Sequence, residues 1–323
     1  MTRKLRAFVL ILALALTLTA FASVAAAEST KTIGICIYSM TADSCVAVVE
    51  EAERAAAELG YEIKLLDANA DPSTQADQMA TFISEKVDAI ILNPTDTTSL
   101  IPSIQDAIDA GIPVVGVGME MDQEAMDKLL FFAGADDYMA ASVGCQWIAE
   151  TFNGQEAEVA IITGPAGTDP TNKTTTAYSE ALEGTDIVDL GAYDGQFDTS
   201  KALSITEDLL VQHPGIKAIY CQDHVMAAGA AEAVIDAGLE GQVTIVASIG
   251  MPDYLSYVED GTITTGVYVP LYKSGYFAVK SLGDYFADNS VEFDRKYYVT
   301  PVIVTAENAG EVASQTFDFE AAE

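Results

Sequence analysis

Positive charge is what this chain has least of. Its 323 residues carry 15 Lys+Arg against 49 Asp+Glu, a formal net charge of −34 at pH 7. So acidic a surface repels nucleic acid and anionic lipid, which excludes nucleic-acid binding and peripheral attachment to membranes. No long acidic run marks a binding patch, and the acidity reads as an adaptation to solubility or a saline habitat. Arginine is scarcer still, because beyond residue 27 only Arg54 and Arg295 remain. The two histidines, His213 and His224, stand apart in sequence and give little support to acid–base catalysis. Cys36, Cys45, Cys145 and Cys221 form no CxxC pair and no zinc spacing. Cys36 and Cys221 lie in apolar runs and are expected as free buried thiols, although an exported protein is permitted disulfides. No nucleophile elbow, HExxH motif or P-loop is present. Gly116-Val117-Gly118 follows a strand but lacks the third glycine of a dinucleotide fingerprint. The chain therefore reads as a binder and not an enzyme, with no catalytic residue, cofactor or metal.

A second long apolar run is also missing beyond the N-terminus. At the N-terminus, Arg3, Lys4 and Arg6 precede an apolar stretch at 8–18 and the small residues Ser23-Val24-Ala25-Ala26-Ala27. This is the pattern of a signal peptide at 1–27, with cleavage expected after Ala27. An uncleaved anchor is the alternative, since 8–27 almost reaches spanning length. No cysteine at the cleavage site supports a lipid anchor. The mature protein is expected to be periplasmic or extracellular.

What the chain does have is regular alternation. Half of it is hydrophobic, and its length suits two α/β domains. Short Ile/Val-rich runs predict strands at 32–38, 62–66, 89–92 and 113–117. Between them, helical periodicity predicts helices at 43–59, 72–86 and 97–110, the first and last closed by Gly60 and Gly111. The pattern then restarts, with strands at 158–163, 187–190, 216–220 and 243–247. Helices are predicted at 171–182, 199–212 and 225–237, with a short one near 252–260. Residues 131–137 read as the crossing between the units. After a strand at 264–269, a helix at 271–286 best completes the first unit, and a last strand region lies near 297–304. Near-continuous apolar strands alternating with helices imply parallel sheets covered on both faces.

Several stretches together resemble the ribose/galactose type of periplasmic binding protein, the solute-binding component of ABC importers. They are residues 33–61, Asn93-Pro94-Thr95-Asp96, Ala110-Gly111-Ile112-Pro113-Val114, Gly164-Pro165-Ala166-Gly167-Thr168, Phe197-Asp198, His213-Pro214, Gln222-Asp223 and Met226-Ala227-Ala228-Gly229-Ala230. Each motif is weak, but their order and spacing are specific, and the similarity runs from about residue 31 to about 304. The resemblance implies a type I periplasmic binding fold: α/β, two doubly wound parallel-sheet lobes joined by three crossovers, with the ligand cleft between them. By likeness the crossovers fall near 135–136, 264–266 and 293–296. The lobes would be 28–135 plus 267–293, and 136–266 plus 294–323. Open-sheet physics places ligands at the same level, beyond the C-terminal ends of parallel strands.

Carried over position by position, the resemblance implies a pocket formed by Tyr38, Met40, Ser44, Cys45, Met119, Asp169, Asn172, Phe197, Asp223, Ile249 and Tyr268. It departs from the family at several of them. Ser44 and Cys45 stand where ribose binders carry two stacking rings, and Gly118-Met119 where an Asp-Arg pair grips hydroxyls. Asn172 is the nearest match to a second arginine, Ile249 replaces an aspartate and Tyr268 a glutamine. Phe197 matches the stacking aromatic, and Asp223 stands where Asn is common. A guanidinium fork is missing from the expected places. The ligand is therefore expected to be neutral or weakly cationic, with Phe197, Tyr38 and Tyr268 offering ring faces and Asp223 an acceptor. Tyr38, Met40 and Met119 are equally readable as packing residues. A monosaccharide or polyol comes first and a nucleoside second, delivered by a monomer to an ABC permease. A sensory role, presenting ligand to a chemoreceptor or histidine kinase, is the other reading.

Overall fold

The computed structural model describes residues 30–312, 314–315 and 317–322. The signal peptide expected at 1–27 lies outside the described residues. The first lobe is built from β1 (Thr32–Ile37), α1 (Asp43–Leu59), β2 (Glu62–Asp67), α2 (Pro72–Glu85), β3 (Ala89–Leu92), α3 (Ile101–Asp109), β4 (Val114–Gly118), α4 (Gln123–Met126) and β5 (Phe131–Gly134). The second lobe follows with α5 (Asp137–Thr151), β6 (Glu158–Thr163), α6 (Asp169–Leu182), β7 (Val188–Asp194), α7 (Thr199–Gln212), β8 (Ile216–Cys221), α8 (His224–Asp236), β9 (Thr244–Ile249), α9 (Leu255–Glu259) and β10 (Thr265–Tyr268). The chain ends with α10 (Ser274–Ala287), β11 (Lys296–Val299), β12 (Val302–Val304), α11 (Ala309–Val312) and β13 (Phe319–Ala322).

The strands form two sheets. Seven run in the order β13-β11-β5-β4-β3-β1-β2, and six in the order β12-β10-β9-β8-β6-β7. All neighbours are parallel except the edge strands β13 and β12, which pair antiparallel with β11 and β10. Apolar residues fill β1 and β3 on both faces, with Ile33, Ile35, Ile37 and Ala89 to Leu92 fully buried. This is what sheets covered by helices on two sides require. Aspartates start many of the helices. Asp71, Asp136, Asp198 and Asp223 each accept backbone N–H bonds from the first turn they precede, satisfying donors that would otherwise be orphaned. Part of the chain's acidity is thus capping chemistry.

The first crossing lies between Gly134 and Asp137; residues 131–134, read from the sequence as part of the crossing, form β5 of the first sheet. The other two differ. Thr265–Tyr268 still pairs with β9, so the chain leaves the second lobe after Tyr268 and not at 264–266. The last strand region is split at Thr300-Pro301: β11 pairs parallel with β5 in the first sheet and β12 pairs with β10 in the second. Proline cannot donate to a ladder, which favours this break. The segment then returns once more, because β13 joins the first sheet, making four passages in place of three. Aromatic packing fixes this outcome: Phe277 stacks on Phe319 with centroids 4.7 Å apart and meets Tyr297 at 5.1 Å, while Phe131 meets Phe293 at 4.9 Å. Helix α10, expected only to complete the first unit, packs on α1. They touch so closely that a Cβ at Gly275 would sit 2.0 Å from the Val48 carbonyl oxygen. Among the described residues no helix is long and apolar enough to cross a membrane. All four cysteines are buried and free.

Candidate functional site

The loops at the C-terminal ends of the second lobe's strands close around a cavity of about 260 Å³. Its wall runs from the first crossing (Ala135, Asp137, Ala140) through α6 (Pro170, Thr174) to Phe197, Gln222, Asp223, His224, Ser248, Ile249 and Gly250, and ends at the next crossing with Val269 and Leu271. The cavity therefore lies against the segments that join the lobes, where open α/β sheets bind ligands.

Phe197 forms the apolar side. It follows β7 in a left-handed conformation, φ 55°, and the tip of its ring abuts Gly164. A Cβ there would come within 2.1 Å of the ring's Cζ, so glycine at 164 is what allows the ring its place. Gln222, buried after β8, holds the neighbouring loops together. Its Oε1 accepts from Gly164 N at 2.8 Å and from Thr171 Oγ1 at 3.3 Å. Asp223 is the N-cap of α8 and accepts from Met226 N at 2.8 Å. Burial pushes its carboxyl up to about 6, against the backbone donors of Met226 and Val225 that favour the anion. Burial also takes His224 down to about 4, so its imidazole is neutral at pH 7. Its ring packs on Tyr254 at 4.0 Å, and Tyr254 stacks on Tyr257.

Two acidic groups that the sequence did not single out complete the site. Asp137 opens α5 on the cavity wall, and burial pushes it up to about 6, opposed by the charge of Lys173 and reinforced by Asp136, Asp169 and Glu120. Glu120 follows β4 in the first lobe. It accepts from Lys296 at 2.7 Å, from the Tyr298 hydroxyl, and from Lys173 of the second lobe at 2.9 Å. Burial alone would raise Glu120, but its three donors outweigh it and hold the carboxyl at about 2. Lys173 is raised well above the ordinary lysine range: burial works against its charge, and Glu120 and Asp169 overcome it. A charged, hydrogen-bonded pair thus spans the two lobes beside the cavity.

The eleven residues expected at the site are spread more widely. Phe197, Asp223 and Ile249 line the cavity. Tyr38 and Met119 are exposed at the strand ends of the first lobe, and Met40 packs half-buried on the core. Ser44 is exposed in the first turn of α1. Cys45 is buried and points its thiol at Asn93 Oδ1, 3.6 Å away. That amide also accepts from Tyr38 N and donates to the Val117 carbonyl, so Asn93 ties three first-lobe loops together. Asp169 and Asn172 are exposed on α6, with Asp169 paired to Lys173 at 3.0 Å. Tyr268 is fully buried in the core. It shares a hydrogen bond with the Tyr272 hydroxyl and packs edge-on against Phe317. A group so enclosed reaches the cleft only through its neighbours.

Comparison with known proteins fits this geometry. Residues 33–289 match a family model described as a periplasmic binding protein domain. The ribose import binding protein of Bacillus subtilis (strain 168) is 27% identical over 237 residues, covering 73% of this chain and 75% of the relative. Among solved structures, an ABC transporter solute-binding protein from Actinobacillus succinogenes with bound D-allose superposes with a TM-score of 0.75 at 25% identity, over 87% of this chain and 99% of that one. A solute-binding protein from Bacillus halodurans with bound myo-inositol gives a TM-score of 0.74 at 25% identity, over 88% and 98%.

Proposed function

The chain belongs to the periplasmic binding protein family, and from that premise we propose that it captures a monosaccharide or polyol between its lobes and hands it to an ABC importer. The observation that carries this reading is the cavity of about 260 Å³ at the strand ends, with the Phe197 ring on one side and the Asp223 carboxylate on another. A ring face next to a hydrogen-bond acceptor matches the two surfaces of a sugar, its apolar C–H face and its hydroxyl edge. The Glu120–Lys173 pair supplies the second requirement, a contact made only while the lobes are together. Closure around a ligand gives a transporter a shape to recognise. We further read the protein as an exported monomer, with the importer's permease as its partner.

A thermal-shift screen against sugars, polyols, nucleosides and amino acids tests this. A ligand at about 100 times its Kd adds about 2.7 kcal/mol of stability, a rise of a few degrees for a chain of this size. Hits among sugars or polyols support the reading. Hits confined to nucleosides replace it, and silence throughout refutes it.

A further inference from the structure

We propose that the ligand is an amine-bearing sugar, its ammonium group seated on Asp137 and its ring over Phe197. This rests on the sugar-binding reading above and specifies the class of sugar.

The first observation is a carboxylate without a donor. Asp137 lines the cavity, yet among the described residues no hydrogen bond reaches its side chain. Asp137 is half-buried, and a carboxylate partly withdrawn from water gains from a donor or a counter-charge. Lys173 lies near enough to influence it, but its ammonium is bound to Glu120 at 2.9 Å and Asp169 at 3.0 Å. Asp223 differs in having a donor already, the backbone N–H of Met226 at the start of α8. Asp137 is therefore the cavity carboxylate left open to a donor on a bound molecule.

The second observation is the charge balance around the cavity. Four carboxylates (Glu120, Asp137, Asp169 and Asp223) stand against two ammonium groups, on Lys173 and Lys296, both committed to Glu120. Both arginines among the described residues are engaged elsewhere, Arg54 with Glu51 and Glu58 on α1 and Arg295 with the Asp127 carbonyl. His224 is neutral. Of the four, Asp137 and Asp223 line the cavity itself; a neutral sugar leaves them without a counter-charge, whereas an ammonium group supplies one through charge-assisted hydrogen bonds. The Phe197 face favours the same ligand, since an aromatic ring attracts a cationic ring substituent as well as an apolar face.

Calorimetric titration of the purified full chain at pH 7 tests the proposal, using D-glucosamine, D-galactosamine and D-mannosamine, each beside its neutral parent hexose and its uncharged N-acetyl derivative. We expect at least one amine to bind about tenfold or more tighter than its parent and its N-acetyl form, the ratio expected of one charge-assisted contact. In Asp137→Asn the preference should fall to near unity. Because the wild-type comparison needs no variant, a folding defect in D137N does not blunt the test. Parents that bind as tightly as their amines overturn the proposal and leave the sugar-binding reading standing. An amine preference that D137N keeps also overturns it. Failure of every amine and every neutral sugar refutes both.

Discussion

The contact between Glu120 and Lys173 makes the most exposed prediction. Glu120 belongs to the first lobe and Lys173 to the second, and their side chains are 20% and 33% exposed. Opening of the cleft separates them, so the pair favours the closed state and adds to the apparent affinity of any ligand that needs closure. Lys173→Met is the cleaner perturbation. It keeps the apolar stem, and it leaves Glu120 still bonded to Lys296 and Tyr298. Glu120→Gln would instead also take away the carboxylate that Lys296 pairs with. A half-buried, hydrogen-bonded pair exceeds the small value of a fully exposed one, and coupling of about 1–3 kcal/mol corresponds to about 5- to 150-fold in affinity. K173M should therefore raise the ligand's Kd by at least about fivefold. Small-angle scattering of the ligand-free variant should show a larger mean radius of gyration than wild type. Added salt should weaken wild-type binding more than variant binding. Unchanged affinity together with an unchanged scattering profile would refute the idea that this pair helps to hold the lobes together.

Three further predictions follow from packing and titration. Gly164→Ala should displace the Phe197 ring, since a Cβ would lie 2.1 Å from it, and lower ligand affinity about as much as Phe197→Ala, on the order of tenfold, with both measured by calorimetry. Gly275→Ala should cost several kcal/mol, because its Cβ would collide with the Val48 carbonyl and force α10 off α1; a urea melt that matched wild type would count against that packing. Asp137 gives a pH signature. Its folded-state value, about 6, lies above the ordinary 3.8, so the folded protein holds the extra proton between those values and stability falls as pH rises through that window. The cost is complete above about pH 6 and absent below about pH 3.8. D137N should thus be more stable than wild type at pH 7, by on the order of 2 kcal/mol, with the advantage vanishing near pH 4; a difference independent of pH would contradict the burial of this group. Lys173, Asp136, Asp169 and Glu120 face Asp137 and are unchanged in the variant.

Much of the fold was legible because its signals are local. The Ile/Val runs of β1, β3 and β6 are each followed by a helix, and Gly60 closes α1 in the left-handed conformation, φ 72°, that glycine adopts freely. Helix α5 is not legible in the sequence because it carries little polar contrast. Ala140, Ala141, Gly144, Cys145 and Ile148 are all buried, and such small residues give no strong period. Its first turn also follows β5 so closely that 131–137 read as a plain crossing. The fate of 296–322 was hidden because partners distant in sequence decide it, Phe131 and Phe277 for Tyr297, and Phe277 for Phe319.

The site divided in the same way. Phe197, Asp223 and Ile249 came from the family resemblance, supported for the first two by their place just past a strand, and all three line the cavity. Glu120 and Asp137 were lost among 49 carboxylates. What distinguishes them is company: Lys173 stands 53 residues from Glu120 and Tyr298 stands 178 from it. A counter-signal was available in the scarcity of positive charge, since any lysine placed at a strand-end loop of so acidic a chain is a candidate for a cross-lobe partner. Tyr268 shows the reverse case, a polar aromatic at a strand end whose hydroxyl is satisfied inside the core by Tyr272.

The most direct test of the central claim is a calorimetric titration of wild type and of the Phe197→Ala, Asp223→Ala double variant with the best sugar or polyol from the thermal-shift screen. One ligand per chain is expected for wild type and an affinity weakened about 30- to 1000-fold in the double variant, about 1–2 kcal/mol from each lost contact. Equal affinity for the two proteins would place the ligand elsewhere and contradict the site.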